Sequence, residues 1–407
     1  MFFQLGWRNI WRNRRRTLVI LTAVVIGVWS MIFLSSLMRG VADQFVSNGI
    51  KTLTGHIQVH HTGYREDPVV ENSIKNPAGV EAVLTAVLPP EAQWAPRVRV
   101  NAVASNARHS TGITMVGIDP SREAGVSFIG EAITEGRYLK SDDPYGIVVG
   151  KALVKKFETK VGRKLVLMSQ DTEGETASRA FRIVGVYRAE MQATEKQFAF
   201  VSMPAAQQML NLSHGISEVA VLLAEHGQAM QVANTLRAEL SADEYEVNTW
   251  QELLPMGSAI MKIYDWFIFI WFLVVFIAMG FGIVNTTLMA VFERVREFGL
   301  LKALGMKPWW IVKEVLIESF CLLILGMVIG NAAGFVSVLA ISRTGIDLSA
   351  LAAGMEYWGM SRVIYPHILG QDVMMANLVV FILGLVVSLY PAIKASRFTP
   401  VEALAHT

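Results

Sequence analysis

Glu293–Pro308 reads ERVREFGLLKALGMKP and lies between two long runs that carry no charge. The segment itself holds six charges: Glu293, Arg294, Arg296, Glu297, Lys302 and Lys307. A stretch so charged does not rest in hydrocarbon, yet Val295, Phe298, Leu301 and Leu304 recur near helical spacing, with Leu300 less regularly. The pattern predicts a helix at a membrane surface, stopped by Gly305 and Pro308. Four bases against two acids assign that surface to the cytoplasm. A helix held there between two spans is placed to receive a push from a soluble partner. An ordinary cytoplasmic loop folded into a helix would read the same way.

The uncharged runs decide the class. Thr17–Met38, Trp266–Phe292, Ser319–Ser342 and Val373–Ile393 are 22, 27, 24 and 21 residues long, and each meets the ~20 residues that a helix needs to cross the hydrocarbon. They explain why only 17% of the chain is charged, where about a quarter is usual in soluble domains. The expected fold is an α-helical membrane protein with four transmembrane helices, at 17–38, 263–292, 311–342 and 373–393. A large α+β domain at 39–262 separates the first two, the surface helix occupies 293–308, and an external loop 343–372. Segments 1–16 and 394–407 are cytoplasmic. The net charge of +2 gives no reason to expect nucleic acid, because the bases cluster at membrane ends. The one cysteine, Cys321, falls inside a span, so no disulfide framework or cysteine metal site exists.

In 1–16, Phe3, Trp7 and Trp11 recur every four residues, with Arg8, Arg12, Arg14, Arg15 and Arg16 beside and beyond them, as suits the headgroups of the cytoplasmic leaflet. The apolar run that follows is too long for the core of a signal peptide, and no small-residue cleavage site follows it. It is therefore read as a retained span. In 39–262, strands are expected at His56–His60, Gly112–Gly117, Ile147–Val149, Lys164–Met168, Phe181–Tyr187, Phe198–Val201 and Val219–Leu223. Helices are expected at Val80–Leu88, Lys151–Phe157, Pro204–Leu210 and Gln228–Leu240. Mixed elements over this length predict an α+β domain of two packed lobes.

Gly326, Gly330 and Gly334 recur every four residues in the third span, a small-residue face that lets another helix approach closely. Asn285 and Asn331 sit within apolar runs and Glu318 at the edge of one, where polar groups are costly. His56 and His60 share a strand face near His61, but no third ligand completes a metal site. Gly146–Ala152 (GIVVGKA) imitates a phosphate loop with one residue too few between its glycines, and with Ala152 where a hydroxyl would hold magnesium. No hydrolase or metalloprotease signature occurs.

Taken together, LGWRNIWRNRRRTL at the start, the segment Glu293–Met306, the glycine-bearing third span and the tail Tyr390–Leu404 (YPAIKASRFTPVEAL) resemble the FtsX-like/MacB-like permeases of mechanotransmitting ABC transporters. The resemblance covers the whole chain. Within the large domain, GIVVGKALVKKF, VGRKLVLMS, FRIVGVYRAEMQATEKQFAFVSM and TWQELLP are most similar to the lipoprotein-releasing permeases of Gram-negative bacteria. The resemblance implies a multi-pass inner-membrane subunit with both termini cytoplasmic and no catalytic activity or cofactor of its own. ATP and magnesium would belong to a cytoplasmic ATPase dimer, and the permease would pair with a second permease, identical or different. It further implies that Glu293–Met306 is the coupling helix, with Glu293, Arg294, Glu297, Gly299, Lys302 and Gly305 in the ATPase-coupling segment. A lipoprotein would be passed to a periplasmic carrier. Phe33, Phe269, Phe272 and Met279, on the inner faces of the first two spans, are candidates for a substrate cavity. One departure stands out: the hairpin stretch Ser169–Arg179 (SQDTEGETASR), which in a carrier-recruiting relative protrudes, is here short and acidic and lacks Pro, Met or an aromatic. The alternatives are a regulator of a periplasmic hydrolase, or export of a peptide, toxin or drug with an outer-membrane channel.

Overall fold

Four long helices and one wide sheet account for most of the computed structural model, which describes residues 11–347 and 363–399. The long helices are α1 (Arg14–Gly49), α2 (Pro255–Glu293), α4 (Pro308–Thr344) and α5 (Gly370–Arg397); the short α3 (Val295–Ala303) joins α2 to α4. At 36, 39 and 37 residues, α1, α2 and α4 are much longer than a bilayer needs. Phe3, Trp7 and Arg8 of the predicted amphipathic start, residues 348–362 of the loop 343–372 and the tail beyond 399 lie outside the described residues.

Within the helical unit, hydrophobicity alone cannot order the helices, because lipid is as apolar as leucine; close packing and polar pairs must do it. The glycine stripe meets α1. A Cβ on Gly330 would come within 2.8 Å of the Val28 Cβ and 3.0 Å of the Val25 carbonyl oxygen, while Gly326 faces Val24 and Gly334 faces Ile32. The Trp29 indole N–H donates to Ser337 Oγ of α4 at 3.0 Å. Asn331 and Asn377 exchange amide hydrogen bonds of 2.7 and 2.9 Å between α4 and α5, and each also donates to a carbonyl of its own helix. The intramembrane Asn331 is thus spent on helix pairing. At the opposite end of the bundle from α3, Arg39 of α1 grips Asp372 with two hydrogen bonds of 2.8 and 3.0 Å and reaches Asp265 at 2.6 Å. One guanidinium so ties α1, α2 and α5.

The domain between α1 and α2 is built on a ten-stranded sheet: β1 (Ile57–His61), β2 (Gln93–Ser105), β3 (Ser110–Ile118), β4 (Ile133–Gly136), β5 (Gly146–Gly150), β6 (Lys164–Gln170), β7 (Thr176–Tyr187), β8 (Phe198–Ser202), β9 (Glu218–Leu222) and β10 (Tyr245–Thr249). The order is β10-β1-β9-β2-β3-β8-β5-β7-β4, with β6 pairing both β2 and β7. β3–β8 and β5–β7 are parallel and the remaining pairs antiparallel. The strands form one connected network in which β6, by pairing β2 and β7, closes β2-β3-β8-β5-β7-β6 on itself, with a core on each face. Ile113, Met115, Ile147, Val149 and Phe181 pack on one side, and Val116, Ile118, Val148, Phe198 and Phe200 on the other. Burial on both faces is why GIVVG and FAFVS are unbroken apolar runs. β2, which like β7 has three partners, is absent from the sequence expectations, as are β4 and β10.

The glycine contacts give a direct test. Gly330→Ala should lower stability by about 1–3 kcal/mol through overpacking against α1. Gly280→Ala, where a Cβ meets nothing closer than 3.8 Å, should not. SDS-titration unfolding of the purified protein measures both, and equal responses would disprove the packing role.

Candidate functional site

The junction of α2, α3 and α4 gathers more charge than any other part of the helical unit. Arg294, the hinge residue between α2 and α3, is turned inward and only 6% exposed. Its guanidinium pairs with Glu314 at 2.5 Å, Glu318 at 3.1 Å and Glu297 at 3.1 Å, and lies over the Phe298 ring. Glu314 and Glu318 are four residues apart on α4 and so share one face. Burial opposes the charge on Arg294, but Glu314 and Glu318 outweigh it and raise its pKa. Arg16 of α1 joins the same cluster, 2.8 Å from Glu318 and 3.5 Å from Glu293. Arg12 adds an exposed pair with Glu297 at 3.0 Å. Three arginines thus bind the start of α1, the end of α2, α3 and α4 together.

α3 is anchored on its other side by Lys302, whose ammonium donates to the Ser396 and Phe398 carbonyls at 2.8 and 2.7 Å. A cation at the end of α5 suits the carbonyl-rich terminus of that helix. Val295 and Phe298 are buried; Phe298 sits in a cluster with Val291, Ile311, Val312, Val315 and Ala392, and Leu301 packs against it. Gly299 is buried too. The helix ends in a Schellman turn: Gly305 N–H donates to Lys302 O and Met306 N–H to Leu301 O, both at 3.0 Å, with Gly305 at φ +93°. Only glycine takes that conformation without strain.

The apolar residues expected on one membrane-facing side therefore divide. Val295, Phe298 and Leu301 face the bundle, while Leu300 and Leu304 are 56% and 77% exposed. With Arg296 and Ala303 they form an exposed stripe at helical spacing. Of the residues singled out for ATPase coupling, Glu293 and Glu297 keep partial exposure. Arg294 and Lys302 are engaged inside the protein, because a buried cation needs its acceptors close. Arg16 was read as a headgroup contact instead of a partner of Glu318, and Glu314 escaped the sequence reading; the available signal was the Glu314/Glu318 spacing at the start of a span.

Other sequence candidates resolve as structure. The phosphate-loop imitation is a buried strand running into a helix whose first turn is filled by the protein's own carboxylate: Glu195 accepts from the Ala152 and Ala189 N–H groups at 3.0 and 3.2 Å. His56 Nδ1 accepts from the Leu223 N–H, and no group of three potential metal ligands exists among the described residues.

Residues 17–239 match the MacB-like periplasmic core domain and residues 268–400 the FtsX-like permease C-terminal domain. The chain belongs to the MacB/FtsX-type ABC transporter permeases. Its relatives include the lipoprotein-releasing system transmembrane protein LolC of Neisseria meningitidis, 22% identical with 96% of this chain and 94% of that one covered. LolE of Haemophilus influenzae is 21% identical with 99% of each covered. Among solved structures, the periplasmic region of MacB from Actinobacillus actinomycetemcomitans is 12% identical with a TM-score of 0.36, covering 52% of this chain and 96% of that one.

Two further features of the permease bear on its task. A trough of about 790 Å³ runs along α1 and α2, lined by Leu18, Val19, Ile26, Trp271, Val275 and Met279 among others. Of the four residues proposed from sequence for a substrate cavity, only Met279 lines it. Phe272 is buried in the bundle core with Ile268 and Phe276, Phe269 is exposed on another face of α2, and Phe33 stacks on Trp29. The β6–β7 hairpin is closed by Asp171, which accepts from the Glu173 and Glu175 N–H groups, and its tip is fastened to the domain through Asn211 Nδ2–Asp171 and Thr172 N–H to the Leu210 carbonyl.

Arg294→Ala should cost about 3–5 kcal/mol, since it removes the buried cation that Glu314, Glu318 and Glu297 share, whereas Arg12→Ala should cost under about 1 kcal/mol at its exposed pair. Thermal unfolding of the two variants decides; similar losses would refute the buried network.

Proposed function

We propose that this permease couples cytoplasmic ATP hydrolysis to movement of its core domain and thereby releases lipoproteins from the membrane. The observation that carries the reading is the trough of about 790 Å³ along α1 and α2, whose predominantly apolar lining suits an acyl chain better than a polar solute. The end-to-end similarity to LolC and LolE supports the same cargo. In this reading both termini and α3 are cytoplasmic, as the arginines of the first segment, α3 and the end of α5 favour. The ATPase dimer docks on the stripe Arg296, Leu300 and Leu304, while Arg294 and Lys302 hold the helix to α4 and α5. A second permease, identical or different, completes the pair and brings its own spans to the shared cargo. The fastened β6–β7 tip favours a subunit that does not itself recruit a soluble carrier, and in a heteromeric pair that task falls to the partner. ATP and magnesium are bound by the ATPase, not by this chain.

The deciding experiment reconstitutes the permease with its ATPase in liposomes that carry a triacylated lipoprotein and follows ATP-dependent release to a soluble carrier. Release is expected for the native complex. It should fall at least about tenfold in Leu300→Glu/Leu304→Glu, which places charges in a docking surface. Steady hydrolysis without release by the native complex would instead favour a regulatory or export role.

Gly305→Pro tests the helix separately. Proline fixes φ near −65° and removes the N–H that reaches Lys302, so the C-terminal turn of α3 should be lost. ATP hydrolysis should then no longer respond to cargo, although the permease still inserts. Undiminished cargo-stimulated hydrolysis by this variant would show that the turn has no part in coupling.

A further inference from the structure

One face of the core-domain sheet breaks the rule that buried strands carry apolar side chains. The register of β10, β1, β9 and β2 sets Glu246 opposite His60, His60 opposite Glu218, and Glu218 opposite Arg97. His60, Glu218 and Arg97 are buried. Arg99 and Asn101 follow Arg97 on the same face of β2, and Thr114 lies directly across from Asn101 on β3. Buried polar groups are costly unless partnered, so the buried members of the row, His60, Glu218, Arg97 and Thr114, must be answered within the protein or by something bound against them, while Arg99, with 32% of its side chain exposed, and Asn101 remain accessible from outside.

Part of it is answered within. Arg97 makes two hydrogen bonds to Glu123 of 2.9 and 2.8 Å, reaches Glu218 at 3.1 Å, and donates to the Leu53 carbonyl. Glu218 Oε2 then faces Arg99 at 3.5 Å and His60 Nε2 at 3.7 Å. Burial opposes the Glu218 charge, but Arg99, the neighbouring His60 and Arg97 outweigh it and hold its carboxyl far below the usual range. The remainder is not answered. His60 Nδ1 has no hydrogen-bond partner, although its residue is only 2% exposed. Arg99 makes one side-chain hydrogen bond, from Nη1 to Glu218, and lies over the Phe198 ring at 5.6 Å.

These groups line a cleft of about 370 Å³. Gln58, His60, Glu218, Arg99, Asn101 and Thr114 come from the sheet, and Tyr64, Arg65 and Pro68 from the loop after β1. Two arginines and one carboxylate leave the lining with one net positive charge before His60 is counted. Glu218 is already engaged by Arg97 and Arg99, which leaves it poorly placed to hold a cation. The cleft shares Pro68, Val100, Asn101, Thr114 and Gln197 with a larger, more apolar one of about 830 Å³ that continues past Ile113 and Met168.

We propose that the smaller cleft is a binding site for an oxyanion, a phosphate or carboxylate group, held by Arg99 and His60 with Asn101 and Thr114 as neutral partners. A charge-assisted bond to a guanidinium is the strongest available here, and the adjoining cleft has room for whatever the group is attached to. The group is either a free anion or the head of an amphiphile, and the two sources are separable. The site is independent of the trough along α1 and α2 and of the ATPase-facing stripe.

The test uses the full chain in phosphatidylcholine nanodiscs and titrates inorganic phosphate, hexyl phosphate and hexanol by calorimetry. A phosphate is expected to bind and hexanol not. Arg99→Gln should weaken binding about tenfold or more, as the loss of a charge-assisted hydrogen bond does. Thr114→Val should weaken it by a smaller factor without removing a charge, and so guards against a folding defect in the first variant. Arg108→Gln, whose side chain is 77% exposed, should leave it unchanged. Tighter binding of hexyl than of inorganic phosphate assigns the head of an amphiphile, and equal affinities a free anion; either upholds the site. No heat from either phosphate at millimolar concentration, hexanol binding as tightly as hexyl phosphate, or unchanged affinity in both Arg99→Gln and Thr114→Val would overturn it.

Discussion

A guanidinium removed from water must find its counter-charges within reach, and Arg294 imposes that requirement on everything around it. It sits where α2 gives way to α3, and it is satisfied only if Glu314 and Glu318 of α4 and Glu297 of α3 arrive at 2.5–3.1 Å. Replacing the partners with apolar groups can be neutral, but separating them is costly. The junction is therefore a place where the helices either keep their arrangement or change it together. Arg16 extends the constraint to α1 through Glu318. Arg39 does at the other end of the bundle what Arg294 does at this one, holding Asp265 and Asp372. Between the two clamps the helices touch through glycine, asparagine and serine, the contacts that lipid cannot imitate.

The core domain applies the same chemistry to a sheet. Its two hydrophobic cores, one on each face, account for the tightly packed strands β5, β7 and β8. Towards β9, β1 and β10 one face turns polar, and Arg97 with its bonds to Glu123 and Glu218 serves there as the central packing residue. That substitution of ion pairs for apolar side chains leaves a cleft beside it instead of a filled core, which is why binding chemistry becomes available at that position.

Much of this was legible in the sequence, and the failures have a physical pattern. The spans stand out because twenty uncharged residues have few other uses. The glycine stripe was legible because small residues at four-residue spacing have one geometric meaning, and the stop at Gly305 because a positive φ demands glycine. β2 was not legible. QWAPRVRVNAVAS alternates as a strand should, but Arg97 on its polar face is fully buried, so the alternation argues for a solvent-facing edge where the sheet has one of its two strands with three partners. The same assumption, that charge means exposure, made Arg294 and Lys302 look like contacts for a partner. What reverses it is pairing across long separations, 24 residues for Arg294–Glu318 and 94 for Lys302–Ser396, and one sequence read in order does not reveal which distant acids or carbonyls will arrive.

The division of α3 into an anchored face and an exposed one limits how it can move. Rolling the helix about its own axis would draw Arg294 away from Glu314 and Glu318 and Lys302 away from the end of α5, leaving buried charges unpaired at a cost of several kcal/mol. Tilting or sliding α3 together with α4 and α5 breaks none of these contacts. A force applied at Leu300 and Leu304 therefore meets least resistance when the three helices move as one body, and the give in the system shifts to contacts made without charge. The α1–α4 seam at Gly326, Gly330 and Gly334 is one of these, held by close packing and the Trp29–Ser337 bond. Arg16 ties α1 to α4 at one end, 2.8 Å from Glu318, and Arg39 ties α1 to Asp372 of α5 at the other, so the seam gives most readily between the two clamps. That place is set by where the charges sit, and it would hold for any cargo.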